Sequence, residues 1–228
     1  MLNLTKKQKH LQLTISGRYI PQTHRPIARC LIKRFIFGVR SLEAMLILTL
    51  IASLGGLSSC TLFSHPTVDV VGDSITYLSK SSIQETLSSN GYSPTIKAVP
   101  GAKIVQSLAT IDALAVHPPS DWIIELGTDD AGASNTGWSL PFLAAWKAVS
   151  PSDCVIFVTI SKLAGPIASD INSAIKQLVK TNHNAHELDW SSIEYLHPGW
   201  VHSDNIHPTK AGQAQLAKDE LHALQSDC

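Results

Sequence analysis

"VDVVGDSITYL", residues 68–78, decides how this chain is read. A short Val-rich run ends at Gly72, Asp73 and Ser74 follow, and from Ile75 the apolar residues recur at helical spacing. The pattern predicts a buried strand that turns sharply into a helix. Taken alone, Ser74 has two readings. Ser and Asp are ordinary N-cap residues, and a serine at a helix start is also well placed to attack a carbonyl. The rest of the chain must choose between them.

Downstream of Pro66 the same strand-then-helix rhythm repeats. Apolar runs at residues 68–72, 95–99, 121–127, 154–160 and 185–190 predict strands. Between them, helical periodicity covers 75–89 (Ile75, Leu78, Ile83, Leu87), 103–116 (Ile104, Leu108, Ile111, Ala115), 139–149, 167–181 (Ile171, Ile175, Leu178) and 209–225 (Ala214, Ala217, Leu221, Leu224). Strands that are apolar throughout and alternate with helices imply a parallel sheet covered on both faces. The expected fold is therefore a three-layer α/β/α sandwich, residues 67–228, around a central parallel sheet of about five strands. No internal repeat or second domain is visible. In such sheets ligands gather beyond the carboxyl ends of the strands, so the loops after residues 72, 99, 126, 160 and 190 hold the candidate chemistry.

Those loops carry Gly72-Asp73-Ser74, then Pro100-Gly101-Ala102, then Gly127-Thr128-Asp129-Asp130, and finally "SDNIHPT", residues 203–209. A strand-borne GDS, a glycine after the second strand, GTDD after the third and a terminal D-x-x-H-P together resemble the SGNH (GDSL-type) esterase and lipase family over residues 67–225. The resemblance implies a flavodoxin-like sheet and a metal-free, cofactor-free serine hydrolase. In it Ser74 would be the nucleophile, His207 the general base and Asp204 the carboxylate that orients the base. Gly101, the Ser74 backbone N–H and the residue at position 129 would supply the oxyanion hole. The chemistry agrees with these residue types. A serine hydroxyl needs an imidazole to take its proton, worth roughly 10²–10⁴ in rate, and the imidazole needs a carboxylate to fix its tautomer. No G-x-S-x-G elbow occurs, which removes the main support for an α/β-hydrolase reading.

The family usually has Asn where this chain has Asp129. An ionised Asp cannot donate to an oxyanion, and losing one donor costs about 10²–10³ in turnover. Three readings stay open: Asp129 is protonated, it is turned away while Gly101 and Ser74 suffice, or the chain is a slow enzyme or a carbohydrate- or envelope-binding module. Asp73 and Asp130 are expected to brace their loops. Trp138, Trp190 and Trp200, in or beside these loops, either stack on sugar rings or pack the loops. His183, His186, His197 and His202 lack a zinc-like set of companions and read as solvated loop residues, with His202 a weak rival to His207 as base.

Ahead of the domain the character changes. Of the 18 basic and 18 acidic side chains, nine basic and no acidic ones lie in residues 1–40, which leaves residues 41–228 with a net charge of −9. An acidic body argues against nucleic acid as a partner. From Ala44 to Leu57 only Thr49 and Ser53 are polar, a run shorter than the roughly 20 residues of a spanning helix and suited to an export signal. It ends in "LSSC", similar to the lipobox of bacterial lipoproteins, with Cys60 the lipidation candidate. Residues 1–60 are thus expected to be a basic leader and export signal, or to include a mis-assigned start with translation beginning at Val39; residues 61–66 form a linker. The body would lie outside the cytoplasm, secreted or held to the membrane by lipid, acting on a small-molecule or carbohydrate O-acyl ester, with acyl transfer to a sugar hydroxyl in place of water the alternative to hydrolysis. There Cys154 and Cys228 would either form a disulfide or leave Cys154 a buried free thiol.

Overall fold

The strands run four to six residues, and those at 68–72, 121–125 and 154–158 form the middle of the domain, buried on both faces, while the two edge strands are partly exposed. The computed structural model describes residues 65–132 and 137–228. The leader, the apolar run, Cys60 and the linker up to residue 64 lie outside the described residues. The strands are β1 (Thr67–Gly72), β2 (Ser93–Ala98), β3 (Asp121–Glu125), β4 (Cys154–Val158) and β5 (Ala185–Leu188). They pair in the order β2-β1-β3-β4-β5, all parallel. The helices are α1 (Ser74–Ser89), α2 (Ile104–Ala115), the one-turn α3 (Thr128–Ala131), α4 (Ser139–Val149), α5 (Ala168–Thr181), α6 (Trp190–Leu196) and α7 (Lys210–Asp227).

Period-two alternation along the strands splits the core in two. Val70, Ile123 and Ile156 meet Ile75, Ile83 and Leu87 of α1 and Leu216, Ala217 and Leu224 of α7. Val71, Trp122, Ile124, Val155 and Phe157 point the other way, onto α2, α4 and α5. The chain leaves β1 outward to β2, then crosses back past β1 to β3. That reversal opens a crevice at the carboxyl ends of β1 and β3, where this topology binds ligands. The register pairs Gly72 with both Ala98 and Glu125, so the three strands end level and their following loops share one rim.

The elements fall within a few residues of the expected ranges, with instructive differences. Leu78 is 39% exposed, and Thr76 and Ser79 take its place on the buried face of α1. On α7 Ala214 is exposed while Gln213 and Glu220 are buried. In both helices polar side chains occupy the inner face, which hydrophobic periodicity cannot register. The expected strand at 185–190 stops at Leu188 because Asp189 caps α6, its side chain accepting from the Ser192 N–H.

Cys154 and Cys228 are joined by a disulfide, their Cα atoms 5.6 Å apart, within the usual span of such bridges. The bond ties the end of α7 to the start of β4.

Candidate active site

Asp73 builds the first wall. It is fully buried and caps α1, one carboxylate oxygen accepting from the Ile75 N–H at 3.0 Å and the other from the Thr128 N–H at 3.3 Å. The loops after β1 and β3 are thereby locked together. Burial pushes the Asp73 carboxyl up to about 6, opposed by the Ile75 N–H and reinforced by the charge of Asp129. Ser74 follows as the first residue of α1, where the N–H groups of a first turn have no partner inside the helix.

The second wall is a hairpin at residues 201–208. Val201 bridges Pro208, the His202 N–H donates to the His207 carbonyl at 2.8 Å, and the Asn205 N–H donates to the His202 carbonyl at 2.8 Å. Asn205 takes a left-handed conformation, φ 59°, at the tip. Such a conformation is tolerated better by Asn than by most residues. Within this hairpin Asp204 makes three bonds to its own loop. One oxygen accepts from the N–H groups of Ile206 and His207, each at 3.0 Å, and the other lies 2.8 Å from His207 Nδ1. Burial nudges the Asp204 carboxyl upward, but the His207 ring and the two backbone N–H groups outweigh it and hold it at about 2.

His207 Nε2 lies 3.0 Å from Ser74 Oγ. With Asp204 accepting at Nδ1, the neutral ring carries its proton there and Nε2 is the acceptor, so the Ser74 hydroxyl donates to it. The structure thus brings Ser74, His207 and Asp204 into one continuous relay. His207, and not His202, faces the serine.

Opposite the relay, Val99-Pro100-Gly101-Ala102 closes a turn through the Ala102 N–H and the Val99 carbonyl, 3.1 Å, with Gly101 at φ 78°. Pro second and a positive-φ Gly third mark a type II turn. Gly72 and Gly101 line a common cavity of about 200 Å³ with Lys97, Gln106 and Thr110. Asp129 sits in α3, entered through Gly127 at φ 123°, where a Cβ would also press on Ile171. Burial raises the Asp129 carboxyl, against the pull of His207 and Lys103, and its Oδ2 is buried without a hydrogen-bond partner among the described residues. Asp130 braces as expected, accepting from the Ile104 N–H of α2 at 2.8 Å.

The tryptophans pack the loops. Trp138 and Trp190 are buried, and Trp200 stacks with His197, ring centroids 3.9 Å apart, and lies parallel to Trp190, 6.3 Å away. Both ring contacts engage Trp200 in packing the loop. Sequence reasoning passed over three acids beneath the site: Glu125 at the end of β3, Glu194 of α6 and Glu220 of α7, each under 5% exposed. Glu125 accepts from the Thr76 hydroxyl. For Glu125 and Glu220 the signal in the sequence is an acid where the apolar period asks for a hydrophobe.

No protein-family model and no curated protein sequence matches the chain. Solved structures do. A member of the lipolytic G-D-S-L family from Veillonella parvula superposes with a TM-score of 0.60 at 19% identity, over 70% of this chain and 98% of that one. The C-terminal catalytic domain of peptidoglycan O-acetyltransferase A from Streptococcus pneumoniae gives 0.60 at 18%, over 71% and 94%. An acetylxylan esterase from Geobacillus stearothermophilus gives 0.56 at 16%, over 70% and 94%. The chain has the fold of the GDSL-type hydrolases.

Proposed function

We propose that this chain is an exported serine esterase that cleaves short O-acyl esters, acetyl above all, from a carbohydrate or other small alcohol. The observation that carries the reading is the relay from Ser74 through His207 to Asp204, at 3.0 and 2.8 Å, on the rim where this topology binds ligands. The Ser74 oxygen attacks the ester carbonyl as its proton passes to His207 Nε2, and Asp204 stabilises the imidazolium that forms. The tetrahedral oxyanion is held by the N–H groups of Ser74 and Gly101 and by Asp129 in its protonated form. Collapse returns the proton to the departing alcohol and leaves an acyl-Ser74. Water then gives its proton to His207 and attacks the acyl carbon, and as the acid leaves His207 returns that proton to the Ser74 oxygen.

A short acyl group is supported by the modest cavity beside Gly101, whose lining includes Lys97, Gln106 and Thr110. The acetyl-ester and acetyl-transfer names of two solved relatives point the same way. Export is supported by the basic leader and apolar run before Cys60, and by the Cys154–Cys228 disulfide, since such bonds persist in oxidising compartments. Cys60 is the proposed site of lipid attachment, which would hold the domain at the outer face of the membrane.

The test is hydrolysis of chromogenic acetyl, butyryl and octanoyl esters by the native chain and by Ser74→Ala. The expected result is a Ser74-dependent rate that falls as the acyl chain lengthens. Equal rates in the two proteins would favour a binding module on this fold.

A further inference from the structure

The turn that presents Ser74 is tied to β3 at two points, and both ties end on one residue. Gly72 and Glu125 are register partners at the ends of β1 and β3. The Glu125 backbone carbonyl accepts from the Asp73 N–H at 3.3 Å, and the Glu125 carboxyl accepts from the Thr76 hydroxyl. Asp73 precedes Ser74 by one residue, and Thr76 follows it by two. Asp73 also holds the turn through the Thr128 N–H, but on the helix side of Ser74 the tie to β3 is the bond between Thr76 and Glu125.

Both partners are inside the protein: Thr76 is fully buried and Glu125 is 2% exposed. A Cβ at Gly72 would run into the Thr76 side chain and stand 3.1 Å from the Glu125 backbone carbonyl, so glycine here leaves the room in which Thr76 reaches Glu125. Burial, reinforced by the charges of Glu220, Asp73 and Glu194, holds the Glu125 carboxyl well above the usual carboxylate range, and the Thr76 hydrogen bond opposes that rise. A neutral carboxyl keeps its carbonyl oxygen as an acceptor, so the Thr76 bond is made without a buried charge.

We propose that Thr76 and Glu125 are positioning residues for Ser74, their hydrogen bond fixing the first turn of α1 and with it both the oxygen that attacks and the backbone N–H that meets the oxyanion. The inference rests on the reading of Ser74 as the nucleophile. The 3.0 Å contact between Ser74 Oγ and His207 Nε2 joins two parts that are anchored separately. The hairpin of His207 is held by its own backbone bonds and by Asp204, and the turn of Ser74 is held by β3. A misplacement of about 1 Å between reacting groups costs on the order of 10² in rate. A turn released from Glu125 therefore loses rate while the surfaces that bind the substrate stay as they are.

The test measures kcat and KM on an acetyl ester, and the rate at which an alkyl fluorophosphonate labels Ser74, all on folded protein well below its melting temperature. Thr76→Val exchanges the hydroxyl for a methyl of similar size. It should lower kcat and the labelling rate at least tenfold and change KM less than twofold. Thr76→Ser, which keeps the hydroxyl, should restore both rates to within threefold of the native chain. Replacing both partners of a buried bond by apolar groups can cost little stability, so Thr76→Val with Glu125→Met serves where Thr76→Val alone does not fold. The double variant should show the same loss, because the two residues act as one unit. A folded variant lacking the Thr76 hydroxyl that labels at the native rate, or one that loses activity only through KM, overturns the proposal. If the native chain neither hydrolyses nor labels, the esterase reading fails, and amide exchange decides whether the bond holds the turn. Protection of the Tyr77 N–H, which donates to the Asp73 carbonyl at 3.0 Å, should fall at least tenfold in Thr76→Val relative to that of Ile83 in the same helix; an unchanged ratio overturns the proposal.

Discussion

Asp129→Asn should speed the reaction, and by an amount that depends on pH. Asp129 Oδ2 is buried without a partner among the described residues, and burial raises its carboxyl while His207 and Lys103 pull it down. Neutral, the carboxyl donates to the oxyanion; ionised, it repels it. Asn donates at every pH. One such donor is worth about 10²–10³ in kcat, or roughly 3–4 kcal/mol. The ratio of kcat/KM for Asp129→Asn over the native chain should therefore sit near one in acid, where Asp129 keeps its proton. It should then climb about tenfold per pH unit once Asp129 ionises, up to a ceiling of roughly 10²–10³. The assay is initial-rate hydrolysis of an acetyl ester from pH 5 to pH 9 at constant ionic strength, with the Ser74→Ala rate subtracted. A ratio independent of pH, or a variant tenfold slower than the native chain, would refute the donor role and give the carboxylate a different task.

Two further predictions concern stability. The disulfide spans 74 residues, and loop-closure entropy for that length is worth about 4 kcal/mol. Cys154→Ala with Cys228→Ala should therefore lower the stability read from urea unfolding by about 2–4 kcal/mol, and a loss below about 1 kcal/mol would contradict the assigned bond. Glu220 is fully buried on α7, and neither carboxylate oxygen has a partner among the described residues. Burial, with Asp219 nearby, pushes it up to about 8 from an ordinary 4.5. A folded value above the unfolded one means that its stability contribution is full below about pH 4.5 and is lost as pH rises towards 8. Unfolding free energy should fall across that window, and Glu220→Gln should flatten the slope; an unchanged slope would show that Glu220 is not the titrating group.

The sheet was legible because a parallel strand buried on both faces must be apolar throughout, as "VDVVG" and "CVIFV" are. The relay was legible because Asp204 and His207 share one short loop, and because Ser74 ends a strand whose position the pattern gives. Much of what stayed hidden has one cause: polar groups used inside the protein. Thr76, Ser79, Gln213 and Glu220 face inward between α1 and α7, and period counting treats them as surface. Glu194 escaped because α6 is a seven-residue helix started by the Asp189 side chain, too short for periodicity to register. The stacking of Trp200 with His197 and Trp190 was invisible in one dimension. The disulfide needed three dimensions as well.

The central claim is that the Ser74 oxygen is a nucleophile made reactive by His207. The direct measurement is intact-mass and peptide mass spectrometry after treatment with an alkyl fluorophosphonate, which captures an activated serine by losing fluoride. One phosphonyl group should appear per chain, on the peptide that begins the first helix at Ser74. It should be absent in Ser74→Ala and slower by at least 10² in His207→Ala, in line with the worth of a general base. Labelling that ignores either substitution, or no labelling of a folded native chain, would contradict the account.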